Sequence, residues 1–101
     1  SSRPWQTSIL KLEGNQLFLG GGRAQGIKPG MEFSVLTQGE QVKSAQTGAV
    51  VTLPGRKLAT VRVDSLFGDN DLNEGSTASV VSGSLAGQQA GQLVVRFEGA
   101  K

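Results

Sequence analysis

Gly20-Gly21-Gly22-Arg23-Ala24-Gln25-Gly26-Ile27-Lys28-Pro29-Gly30, followed by Met31-Glu32-Phe33-Ser34-Val35-Leu36, is the stretch on which the reading of the fold turns. Glycines round a corner, Ile27 is its one bulky apolar residue, Lys28-Pro29-Gly30 makes a turn, and an alternating strand departs. In that strand Met31, Phe33 and Val35 point inward and Glu32 and Ser34 outward. Strand-like residues lie on both sides, so the segment joins two pieces of sheet. Gly26, Ile27, Pro29 and Gly30 form a structural corner: at least one of the two glycines takes positive φ, and Ile27 is buried as a plug.

Upstream, residues 5–12 and Leu17-Phe18-Leu19 flank Gly14-Asn15, a two-residue hairpin signal. Leu10 and Leu12 are expected to share a face with Leu17 and Leu19. Downstream, residues 37–41 read as a polar turn and 42–48 as a loop or weak edge strand. A short strand over 49–53 is stopped by the turn dipeptide Pro54-Gly55. Lys57 to Phe67 is the longest strand, with Ala59, Val61 and Val63 on one face and Thr60, Arg62 and Asp64 on the other. A polar loop over 68–75 leads to a strand over 76–81 carrying Ala78 and Val80. Residues 83–91 read as linker or loop, and Leu93, Val95 and Phe97 alternate in a last strand.

Six or seven short strands and no helix of 10 residues or more predict an all-β domain. The expected architecture is a small antiparallel, partly open SH3-like barrel, with a two-sheet sandwich as the alternative. Residues 1–101 read as a single β-barrel domain, with 84–101 an extra strand or linker. Fifteen glycines and only five aromatics fit the many turns. Trp5 is expected to cap a barrel end.

The chemistry available is narrow. The chain has no cysteine and no histidine, which removes thiolate chemistry, disulfides, and the commonest general base and metal ligand. Ser and Thr abound without an activating partner, so no nucleophile stands out. Gly20 to Gly26 has the spacing G-x-G-x-x-x-G, one residue too long for a dinucleotide fingerprint. A strand follows it rather than the helix N-terminus that holds a pyrophosphate, and no Gly-Lys-Ser/Thr makes it a P-loop. Asp64, Asp69, Asp71 and Glu74 form the one acidic cluster. Asp69, Asp71 and Asn73 alternate as in a calcium loop, but Gly75 falls at position seven and no helix flanks the run. Glu13, Glu32 and Asp64 lack any spacing that would mark a glycosidase pair. No enzyme activity, cofactor or metal is expected.

Ten basic against eight acidic residues give a net charge of +2, and the basic residues are scattered, with only Arg56-Lys57 adjacent. A nucleic-acid role needs clustered cations beside exposed aromatics, for which Phe18 with Lys11 and Arg23 is the candidate. No apolar run approaches the ~20 residues that span a bilayer. No signal-peptide pattern is present, and the opening Ser1-Ser2-Arg3-Pro4 reads as a cut from a longer exported protein.

The order of Gly26-Ile27-Lys28-Pro29-Gly30-Met31, Thr47-Gly48, Leu53-Pro54-Gly55, Ala59 to Val63 and Ser76 to Gly83 resembles a known family. It is similar to the C-terminal β-domain of bacterial envelope proteins related to flagellar assembly protein T. A domain of the same kind follows the curli-pore-like domain in some exported lipoproteins. The resemblance covers residues 8–85, about three-quarters of the chain. It implies a non-enzymatic protein-interaction module, periplasmic or outer-membrane-associated, in an assembly such as a flagellum or secretion apparatus. Protein partners or self-association are implied, no nucleic acid is expected, and any membrane attachment would come through an upstream anchor. A nucleic-acid-binding barrel and a carbohydrate- or peptidoglycan-binding module are the alternatives.

Overall fold

A computed structural model describes residues 6–98 of the chain. Its strands are β1 (Gln6–Thr7), β2 (Ile9–Glu13), β3 (Gln16–Leu19), β4 (Glu32–Thr37), β5 (Gln41–Lys43), β6 (Val50–Thr52), β7 (Lys57–Phe67), β8 (Gly75–Gly83) and β9 (Leu93–Phe97). Short 3-10 turns cover Arg23–Gln25 and Ala90–Gln92. Seven strands pair antiparallel in the order β1-β9-β4-β7-β8-β3-β2, and β5 pairs with β6 alone.

This order describes a small all-β barrel, nearly closed. β1 and β2 are one run of chain interrupted only at Ser8, yet β1 pairs with β9 at one edge and β2 with β3 at the other. The N-terminal run therefore crosses from one edge of the sheet to the other, leaving one unsealed seam. At the seam the Ala90–Gln92 turn lies against β2. Closure hides the backbone groups that an open sheet would expose at its edges.

The barrel interior follows from alternation. Leu17, Phe33, Val35, Val61, Ala78 and Val95 are fully buried, with Leu19 and Val63 beside them. Phe33 packs on Phe97 with ring centroids 5.5 Å apart, tilted at 57°. No buried side-chain nitrogen or oxygen among the described residues lacks a partner. β7 spans Lys57–Phe67 and puts Ala59, Val61 and Val63 inward, as its alternation requires.

Each end of the barrel is plugged by one apolar residue in a glycine-bracketed loop. Ile27, 1% exposed, lies between Gly26 (φ 82°) and Gly30 (φ 92°), next to the end of β3 and the start of β4. Leu85, 3% exposed, lies between Gly83 (φ 79°) and Gly87 (φ 78°), at the opposite end. The sequence reading of 83–91 as linker or loop missed this second plug. β9, which follows it, sits between β1 and β4 in the ring.

One face assignment differs from the alternation rule. Leu10 is 59% exposed, and Ile9 takes its place in the core. The cause is a register shift between Ile9 and Lys11, where β2 bulges as the N-terminal run bends across the seam. Leu12 stays half-buried opposite Leu17. Ser34 and Thr60 do lie on the outer face, as their alternation requires, yet they are nearly buried there. They face each other across β4 and β7 on the outer surface, and the Ser34 hydroxyl donates to Glu98, which lies over it. Trp5, read as a barrel cap, lies outside the described residues.

Candidate functional site

The glycine corner is built as architecture. Within the run Gly20–Gly22, Gly22 has φ −147° and ψ −146°, so it does not take the left-handed conformation. What glycine supplies at position 22 is close approach: a Cβ would sit 3.1 Å from both the Glu74 Cγ and the Gly75 nitrogen. Within the corner, positive φ is confined to Gly26 and Gly30. The corner is then tied down locally. Gln25 Oε1 accepts from the Gly22 N–H at 2.7 Å, Ser76 Oγ donates to the Gly21 carbonyl at 2.9 Å, and the Ala24 N–H donates to Glu74. Ile27 is the plug and Pro29 is exposed.

The acidic cluster is dispersed among separate tasks. Glu74 holds the corner, Asp64 accepts from Ser79 Oγ, and Asn73 Oδ1 accepts from the Asp69 and Asn70 N–H groups to shape the loop. No group of three or more Asp or Glu among the described residues is arranged to hold a metal ion. Glu13 pairs with Lys11 at 3.0 Å, and Glu32 with Arg62 at 2.8 Å. Phe18 does face outward, but its ring packs on Phe67 with centroids 6.5 Å apart. Lys11, opposite it on β2, is the partner of Glu13. No helix among the described residues is long and apolar enough to cross a membrane.

The feature that sequence reading missed is the β5–β6 hairpin, which stands off the barrel as an arm. The sequence reads 42–48 as a loop or weak edge strand and 49–53 as a short strand stopped by Pro54-Gly55, and β6 is that short strand. What local pattern does not show is the pairing: the chain leaves β4, runs out along β5, reverses over 44–49, and returns along β6 into β7. Gly48 (φ 76°) donates to Ser44 O at the reversal. Pro54-Gly55 belongs to the returning strand's neck, where no reversal occurs. Backbone bonds flank that neck: Leu53 N–H to Glu40 O at 2.8 Å, and Thr37 N–H to Arg56 O at 2.9 Å.

Two glycines allow the neck to close. A Cβ at Gly39 would lie 1.8 Å from the Leu53 carbonyl oxygen, and one at Gly55 would lie 2.0 Å from the Thr37 carbonyl oxygen. Only hydrogen fits in either gap. The molecule measures 50 × 32 × 26 Å along its principal axes. No residue from 38 to 57 is buried, and Val42, Val50, Val51 and Leu53 are 36–64% exposed. Because β5 and β6 pair only with each other, both outer edges of the ribbon are free of strand partners among the described residues.

Where the arm meets the barrel a cleft of about 510 Å³ opens. One wall is the outer surface of β4, β9 and β1, through Leu36, Thr37, Val94, Arg96 and Gln6. The other is the neck and base of the arm, through Gln38, Gly39, Gln41, Thr52, Leu53, Pro54 and Gly55. Its size falls within the range of clefts that hold small ligands or peptide side chains. Compared with known proteins, the chain matches no family model, no curated protein and no solved structure.

Proposed function

We propose that this domain is a non-enzymatic protein-interaction module of a bacterial cell-envelope assembly, and that the β5–β6 arm is the part that meets the partner. One observation carries the reading: an arm that adds nothing to the core displays Val42, Val50, Val51 and Leu53 to solvent. A two-stranded ribbon is marginal in water by itself, and exposed strand edges invite pairing with another chain. Apolar side chains with free backbone edges are the ingredients of strand addition, in which main-chain bonds give affinity and alternate side chains give selectivity. The placement in the envelope rests on the resemblance of the Gly26–Met31 corner and the strands around it to envelope β-domains.

The test places a photoreactive amino acid at position 50 or 51 of the full-length protein in its source organism, and at position 11 for comparison. A discrete protein cross-linked from the arm positions and not from position 11, recovered in the envelope fraction, is the expected result. Cross-links from position 11 with none from the arm would remove the arm from the interface. Recovery of the protein away from the envelope would remove the compartment.

A further inference from the structure

We propose that the cleft between arm and barrel binds an extended peptide segment carrying an aliphatic side chain and, two residues away, a carboxylate. This deepens the reading of the domain as a protein-interaction module and rests on it. The cleft floor is the outer face of β9, where Val94 lies directly opposite Leu36 and Arg96 lies opposite Ser34. Val94 and Arg96 are two residues apart on one strand, hence about 7 Å apart on the same face. A peptide lying extended along β9 repeats its own side chains at that spacing. Leu53 and Pro54 line the cleft from the arm side.

The charge of the occupant follows from which cations are already used. The barrel strands carry four: Lys11, Lys57, Arg62 and Arg96. Lys11 is held by Glu13, Lys57 by Glu98, and Arg62 by Glu32. Arg96 has no ion pair among the described residues, and it is the one that lines the cleft. The nearest acid on its own strand run, Glu98, already takes Lys57 and the Ser34 hydroxyl. An exposed guanidinium beside an apolar floor is suited to a carboxylate, which it can grip through two parallel N–H donors.

The experiment selects octapeptides from a random display library on the immobilised 101-residue chain, then measures the enriched sequences as fluorescein-labelled synthetic peptides. Enrichment of aliphatic-x-Asp/Glu sequences is expected, with amide shifts on binding confined to residues 36–39, 53, 55 and 94–96. Changing the peptide's acid to its amide should weaken binding to the unaltered domain at least ~10-fold, as should Arg96→Gln. Arg96 is exposed, so this variant is expected to keep the parent melting curve. The amide peptide tests the same contact without touching the fold. Selection that yields no binder, binders without an acid, or equal binding by Arg96→Gln would overturn the proposal. Should any of these occur while positions 50 and 51 still cross-link a partner, the cleft assignment falls and the arm reading stands.

Discussion

A single methyl group at position 39 has nowhere to go. The Leu53 carbonyl oxygen occupies the place where a Gly39 side chain would begin, and a backbone carbonyl cannot swing aside as a flexible side chain can. Gly39→Ala is therefore expected to prise open the neck. The cost is of the size of other overpacking changes, about 1–3 kcal/mol, but it falls on the arm because the arm holds no buried residue. Amide exchange should speed up across residues 38–56 while the barrel's melting temperature stays close to the parent value. Gly91→Ala, with open space around its Cβ and no positive φ, is the control and should leave both unchanged. Ile27 is the opposite case, a side chain whose loss empties a space. Ile27→Ala is expected to cost about 2–5 kcal/mol and Ile27→Asp at least as much, since an unpaired charge would be buried. Urea denaturation measures both, and a parent-like midpoint for Ile27→Asp would refute the plug.

At the level of elements, the arm separates two properties that usually travel together. Thr37 and Arg56 already close the base of the hairpin: Thr37 N–H donates to Arg56 O, and Arg56 N–H donates to Thr37 Oγ1, both at 2.9 Å. Replacing residues 38–55 by Asn-Gly, a two-residue turn suited to twisted strands, should leave a barrel that melts within about 4 °C of the parent. The same change should abolish partner cross-linking and peptide binding. A large loss of stability would mean that the arm supports the core after all. This division also marks what could be read in the sequence. β7 and the Gly14-Asn15 hairpin were legible because alternation and turn chemistry are local, and the Ile27 corner was legible because its glycines and proline are neighbours. The neck was not, because Gly39 meets Leu53 and Gly55 meets Thr37 only after the strands pair. A glycine kept for close approach looks the same in sequence as one kept for a turn. Arg96, likewise, stands out only once Glu13, Glu32 and Glu98 are seen to be engaged elsewhere.

For the molecule as a whole, the decisive device is the chain run that serves two edges. Gln6 and Thr7 pair with Arg96 and Val95, and after the break at Ser8 the same run pairs with β3 from Ile9 onward. Ser8 itself stays on the β3 side, its carbonyl accepting from the Gly20 N–H at 2.9 Å. The bulge that turns Leu10 outward accompanies this crossing, which explains why simple alternation fails there: the strand answers to two partners with different directions. A chain that begins at Ser8 keeps every residue of β2 but leaves β9 as an open edge beside the cleft. We expect faster hydrogen exchange at the β9 amides, a lower melting temperature, and concentration-dependent association through the uncovered edge. A chain beginning at Gln6 retains β1, so the difference between the two isolates the closing pair. Light scattering and amide exchange on both chains provide the comparison. Equal protection of β9 in the two would show that the barrel holds its shape without the N-terminal crossing, and the seam would then have to be held by the Ala90–Gln92 turn lying against β2.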